Sequence, residues 1–320
     1  MNALLKSSFL TALQGGNHLL RIFDRLFLLD DGESTCPPLF ILGAPRSGST
    51  LTYQAITEYF DVAYVTAPLG YAYGFANALT RILRPWLGRP KTVFSSDYGR
   101  IPGIFSPSEH ANIWFQWFPR DGQLGHYLPP SNIDFAAYSD LERNVRSLSR
   151  IMRRPWVFKN LYLGMCAGAL AQIFPDARFV IVRRDPLLIY QSVLRGRLLR
   201  PHLEWWSVKP PRYRDWLSLP LRTQVARQIF YAEAIPIRDL TRYAPGRYTE
   251  IEYSALCKEP INCMRALAKW LAPAGYRARS DSVMPNEFPA SSNLTLDHAE
   301  LEAVLAEFER LRQGFHAELF

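Results

Sequence analysis

Gly43, Arg46, Gly48, Ser49 and Thr50 lie close together in the stretch "LFILGAPRSGST" (Leu39–Thr50), directly after an apolar run. A loop that wraps the phosphates of a nucleoside triphosphate reads G-x-x-x-x-G-K-[ST] after a buried strand. Gly43, Gly48 and Thr50 keep that spacing, but Ser49 stands where the lysine belongs and the nearest cation is Arg46, inside the loop. The chemistry on offer is anion binding. The glycines allow a tight turn, and the amides of Ser47, Gly48, Ser49 and Thr50 point outward from the positive end of a helix. Ser49 and Thr50 add hydroxyl donors, and Arg46 adds a planar fork. The alternative is a glycine-containing turn with no ligand.

The stretch "FVIVRRDPLLIYQS" brings Arg183 and Arg184 to the carboxyl end of a second strand, the edge at which α/β sheets bind ligands. Magnesium-dependent phosphoryl transfer needs a carboxylate in that neighbourhood. Arginines there suit a second phosphate held directly, so no metal is expected. The alternatives are a pair with Asp185 for one arginine and solvent for Arg183. Lys159, closing "WVFK", reaches the same edge and can neutralise charge on a transferring group or leaving oxygen, unless it is merely an exposed strand end. In "SPSEHANIW", His110 has a near-neutral intrinsic pKa, and Glu109 could orient it or act as the base itself. Neighbouring helical residues point about 100° apart, so one of the two takes the role, and His110 is narrowly preferred. Otherwise Glu109 only completes a capping box and His110 faces water.

The elements that carry these residues follow from the pattern. "PLFILG" reads as a buried strand and "STLTYQAITEYF" (49–60) as a helix. Ser106 as cap, Pro107 in the first turn and Glu109 three residues after the cap predict a helix over 106–118. Further helices are expected over 135–152, 163–174, 222–243, 261–271 and from 296 onward, with strands at 156–159, 178–184 and "RYTEIEY". Strand–helix–strand–helix implies right-handed parallel crossovers. The expectation is an α/β, three-layer P-loop-like fold with a central parallel sheet flanked by helices. No linker separates two cores, so one domain is expected over 1–320: a helical extension (1–36), a nucleotide-binding core (37–271) and a C-terminal loop and helix (272–320).

A net charge of +8 over 320 residues makes an anionic ligand or surface plausible. The cations are dispersed rather than tracked along one face, which argues against nucleic acid. Four cysteines without a C-x-x-C pair or His/Cys cluster argue against a disulfide scaffold or structural zinc, and a reducing compartment is the default. "HLLRIFDRLFLL" (18–29) reads as an amphipathic helix with Arg21, Asp24 and Arg25 on its polar side. It would pack on the domain or rest on an anionic membrane. No spanning segment is evident, and a cytoplasmic, membrane-peripheral location is the expectation.

In order, "GAPRSGSTL", "KNLYLG…FPDARFVIVRRDPLLIYQS" and "RYTEIEYSALCKEP…ALAKWL" resemble landmarks of sulfotransferases that use 3′-phosphoadenosine 5′-phosphosulfate (PAPS). The resemblance is to the bacterial branch, which is related to the tyrosylprotein sulfotransferases. It implies that Arg46, Ser47, Gly48, Ser49 and Thr50 surround the 5′-phosphosulfate and that Arg184 and Ser192 bind the 3′-phosphate. Lys159 falls near the transferring sulfuryl group, and Ser291 to Asn293 is a weaker candidate for closing over the nucleotide. PAPS would be the cosubstrate, with an acceptor hydroxyl on a glycan, glycolipid, lipid or small molecule as partner. The tyrosylprotein relatives carry a glutamate where "DVAYVTAPLG" has no carboxylate after Asp61, so peptide tyrosine is a poor fit. Trp114, Trp117, Trp205 and Trp206 are candidates for the acceptor pocket, although stacking would not identify the acceptor. A nucleotide kinase, or a non-catalytic nucleotide-binding module, is the rival reading.

Overall fold

The computed structural model describes residues 16–17, 19–29, 36–87, 93–96, 99, 101–290 and 292–315. β1 (Leu39–Gly43), β2 (Ala63–Tyr64), β3 (Trp156–Lys159), β4 (Arg178–Arg183) and β5 (Tyr248–Glu252) form a parallel sheet in the order β2-β3-β1-β4-β5. β1 is central, with Ile41 opposite Lys159 of β3 and Gly43 opposite Val182 of β4. All five residues of β1 are buried, as a strand covered on both faces requires.

Alternation along the strands separates two layers of core. Leu39 and Ile41 join the cluster formed by the helices Ser49–Tyr59 and Pro260–Leu271, through Tyr53, Ile56, Met264 and Leu267. Phe40 and Leu42 face the other way, into a cluster with the helices Phe135–Met152 and Ala167–Ile173. There the Phe40 ring stacks between Phe158 and Phe179 of the two neighbouring strands, at centroid distances of 5.5 Å from each. A third cluster gathers the helices Pro186–Leu198, Leu221–Tyr243 and His298–Gly314 around Trp205, Tyr213 and Trp216. Helices therefore flank a parallel sheet on both faces, the layered arrangement that the βαβα pattern predicts.

Several local signals act as expected. Asp185 accepts from the Leu187 amide at 2.8 Å, with Pro186 opening the helix. The helix Phe135–Met152 has the bounds that its sequence pattern gives. Two other expectations need correction. Residues 106–110 are not helical, and only a 3-10 turn forms at Ala111–Gln116. The Ser106 hydroxyl donates backwards to the Pro102 carbonyl, the Ser108 amide is taken by the Val65 carbonyl, and Glu109 reaches away to Lys159. No capping box is left. The expected helix over 163–174 divides into a 3-10 turn (Leu161–Cys166), capped by Asn160, and an α-helix (Ala167–Ile173).

The N-terminal helix is also turned differently from expectation. Residues 19–24 are helical and run into a 3-10 turn, Arg25–Phe27. Asp24 is buried, and its carboxylate accepts from the amides of Asn77 and Ala78 and from the Asn77 side chain, at 2.8–3.1 Å. It thereby caps the helix Ala76–Leu83 from outside. The apolar residues Leu19, Ile22, Phe23 and Leu26 face outward together with Arg25, while Asp24 is turned inward. No helix among the described residues is long and apolar enough to cross a membrane.

Candidate nucleotide and transfer site

The carboxyl ends of β1, β3 and β4 converge on a cavity of about 330 Å³, bordered by the 44–48 loop. Its turn depends on backbone conformations that few residues adopt. Gly48 has φ 97°, and a Cβ there would lie 2.1 Å from the Tyr253 ring. Arg46 also has a positive φ, 69°. The Ser47 amide is used inside the loop, donating to Ala44 at 3.2 Å. The next amides begin the helix Ser49–Tyr59 and have no acceptor one turn back, which leaves the positive end of a helix facing the cavity.

Arg46 and Arg184 are held by each other's surroundings. Arg184 donates from Nη1 to the Arg46 carbonyl at 2.9 Å, and its guanidinium lies 4.6 Å from the centre of the Tyr253 ring. Arg46 donates from Nε to the Ser192 hydroxyl at 3.0 Å. Burial lowers the Arg184 pKa from its usual value, with the nearby Arg46 charge acting in the same direction. Two converging cations held in place by protein contacts suit an anion of more than one charge.

Lys159 lines the same cavity and is 3% exposed. Its ammonium donates to the Thr50 hydroxyl at 3.2 Å and pairs with the Glu109 carboxylate. The Asn160 side chain holds the Glu109 carbonyl at 3.2 Å. The cavity thus brings together Arg46, Gly48, Ser49, Thr50, Glu109, Lys159 and Arg184. Ser47 and Ser192 stand behind this lining.

His110 is directed elsewhere. A Cβ on Gly70 would lie 1.9 Å from its ring, and the Tyr71 ring meets it edge-on at 4.8 Å. Burial pushes the His110 pKa below the ordinary imidazole value. Its unusual backbone (φ 26°, ψ 80°) turns the chain so that Glu109 faces the cavity and His110 does not. Arg183 also leaves the site, since it borders a separate cavity beside Glu233. Of the four candidate tryptophans only Trp206 lines the nucleotide cavity, together with Ser207; Trp114 and Trp205 are buried. Ser291 lies outside the described residues, while the following Asn293 and Thr295 bind Gln191 on the helix that carries Ser192.

Tyr162, Tyr253 and Trp206 border the cavity without having been singled out for a role at the nucleotide. Tyr253 could have been found from its position, because it directly follows β5 at the same sheet edge as Arg184. Tyr162 and Trp206 sit in a 3-10 turn and an irregular segment, where periodicity carries no signal. Among the described residues no group of three or more His, Cys, Asp or Glu is placed to hold a metal ion.

The sulfotransferase family model matches residues 37–273, the stretch that contains every residue of this cavity. The chain belongs to the sulfotransferase family. Two curated relatives, the omega-hydroxy-beta-dihydromenaquinone-9 sulfotransferases Stf3 of Mycobacterium bovis and Mycobacterium tuberculosis, are each 25% identical over 259 residues. That alignment spans 73% of this chain and 62% of each relative. Among solved structures, sulfotransferase STF9 from Mycobacterium avium aligns with TM-score 0.55 at 17% identity, over 88% of this chain and 77% of the other. Sulfotransferase STF1 from M. tuberculosis H37Rv gives 0.52 at 14% identity, with the same coverage of both chains. At those identities the likeness is one of fold, and it agrees with a P-loop-like sheet.

Proposed function

We propose that this protein transfers the sulfuryl group of PAPS to an acceptor hydroxyl, with the 5′-phosphosulfate held by the loop that carries Arg46 and the 3′-phosphate by Arg184 and Ser192, the Ser192 hydroxyl also accepting from Arg46. The observation that carries the reading is the charge gathered around one cavity. A helix start and two arginines line it together with a lysine–glutamate pair whose lysine is also bonded to Thr50 of that helix start. The buried Lys159, the half-buried Arg46 and Arg184 and the outward amides fit a nucleotide bearing anionic groups at two positions. PAPS, when bound, supplies a sulfuryl group on a phosphate leaving group.

The chain's own residues supply the rest. Gly48, Ser49 and Thr50 bind the leaving side through amides and hydroxyls. Lys159, nearly dry and already bonded to Thr50, is suited to neutralise charge at the transferring group and its bridging oxygen. Glu109 is the base that takes the acceptor's proton, because it lines the cavity and His110 does not. This reverses the order that the sequence suggests for the two residues. Asn160 fixes the Glu109 backbone and so its reach.

For the acceptor we favour a hydroxyl on an apolar carrier, a lipid or glycolipid, over a soluble glycan. Two observations support this. The mycobacterial relatives are named for a hydroxylated menaquinone, and Tyr162, Trp206 and Leu161 give part of the cavity an apolar lining. The test is incubation of the purified protein with sulfur-labelled PAPS and lipid, glycan or phenol acceptor pools. Label should move into the lipid pool, and should not do so with Glu109→Gln. Label in soluble glycans alone would overturn the acceptor class, and no label in any pool would count against transfer itself.

A further inference from the structure

The N-terminal helix is packed with Asp24 and Arg21 turned towards the domain. Asp24 caps the helix Ala76–Leu83, and Arg21 pairs with Asp140 while lying 4.9 Å from the Trp117 ring. Leu19, Ile22, Phe23 and Leu26 are left 59–80% exposed. Ile82 (61%) and Trp86 (55%) extend the apolar surface from the neighbouring segment. The two segments touch where Arg81 donates to the Phe27 carbonyl at 3.1 Å. A soluble surface seldom gathers large apolar side chains in this way.

Charge says what covers this face. Arg25, Arg81 and Arg84 are exposed around it, and none has a carboxylate partner among the described residues. The one acidic residue of the helix, Asp24, is buried. Apolar side chains ringed by arginine match the boundary of an anionic bilayer, where acyl chains receive the first and headgroups the second.

We infer that residues 19–27 and 81–86 form a docking face for an anionic lipid surface, on which the protein sits without crossing the membrane. The face connects to the site. Asn17 binds the Tyr71 carbonyl and the Gly74 amide, and Tyr71 packs on His110, the neighbour of Glu109. A hydroxyl carried by a membrane lipid would then be offered on the Glu109 side of the cavity. This second step rests on the sulfuryl-transfer reading, whereas the docking does not.

The test is co-sedimentation of the full chain with vesicles of phosphatidylcholine alone or mixed with phosphatidylglycerol, at low and high salt. Adenosine 3′,5′-bisphosphate binding is measured in parallel on every variant to verify folding and to test the nucleotide reading separately. We expect sedimentation with phosphatidylglycerol vesicles that weakens at high salt. Arg25→Glu/Arg81→Glu/Arg84→Glu should reduce partitioning about tenfold or more. Ile22→Asp/Leu26→Asp should abolish it while nucleotide binding persists. Protein left in the supernatant with every vesicle would overturn the proposal, as would variants that sediment like the parent. A dimer that Ile22→Asp dissolves, without vesicle binding, would assign the face to a second copy and equally overturn it.

Discussion

The ammonium of Lys159 pairs with the carboxylate of Glu109 at the end of a buried strand, 3.2 Å from the Thr50 hydroxyl in the first turn of the helix Ser49–Tyr59. One cation thus spans the proposed leaving-group side and the proposed base. Lys159→Ala would leave a partly buried carboxylate without its partner, a change that costs about 3–5 kcal/mol at buried pairs. We expect a lower Tm together with a loss of transfer. Thermal melting of Lys159→Ala beside the double variant Lys159→Ala/Glu109→Gln checks it. The double variant should recover part of the lost stability and none of the activity.

Glu109 and His110 make opposite predictions. Glu109→Gln keeps the shape of the side chain and should lower kcat about 10²–10⁴-fold, with adenosine 3′,5′-bisphosphate binding near that of the parent. His110→Ala opens a gap against Gly70 and Tyr71 and should reduce stability, while kcat stays within about threefold at a temperature where the variant is folded. Steady-state kinetics on both variants decide between the two residues.

Gly48 is constrained twice, by its φ of 97° and by the Tyr253 ring 2.1 Å from any added Cβ. Gly48→Ala should cost about 1–3 kcal/mol from strain and overpacking. Because Tyr253 stacks on Arg184, it should also weaken nucleotide binding. Tyr253→Ala in the Gly48→Ala background relieves the clash, so denaturant melts should show partial rescue of stability without rescue of binding.

How much of this was legible beforehand differs from place to place. Four of the five strands, the loop and the Asp185 cap were readable because each depends on local pattern or on one residue's backbone chemistry, whereas the two-residue edge strand Ala63–Tyr64 is too short to carry a pattern. The partnership of Lys159 with Glu109 was not, because it joins residues 50 positions apart through a segment whose apparent capping box does not form. Ser106 and Glu109 find better partners in Pro102 and Lys159 than in a helix start. The orientation of the N-terminal helix was hidden for a related reason. Asp24 reads as solvent-facing until the start of the helix Ala76–Leu83 is brought beside it.

A pH dependence follows from Glu233, which borders the second cavity and whose Oε1 is buried with no hydrogen-bond partner. Burial raises its pKa to about 7. Below the unfolded value the carboxyl is protonated in both states and carries no penalty. As pH rises towards 7 the unfolded chain loses the proton that the folded chain retains, so stability falls, and above about 7 the full penalty is present. It amounts to roughly 3 kcal/mol. The Tm gain of Glu233→Gln over the parent should therefore grow from pH 4.5 to 7 and level off above; a constant difference would contradict this.

The central claim, a site for a nucleotide anionic at two positions, is tested most directly by calorimetric titration of the full chain with adenosine 3′,5′-bisphosphate and, separately, with ATP and magnesium. The account predicts tighter binding of the bisphosphate and its loss in Arg184→Ala and Arg46→Ala. Tighter binding of ATP with magnesium, or bisphosphate binding that survives both substitutions, would contradict it.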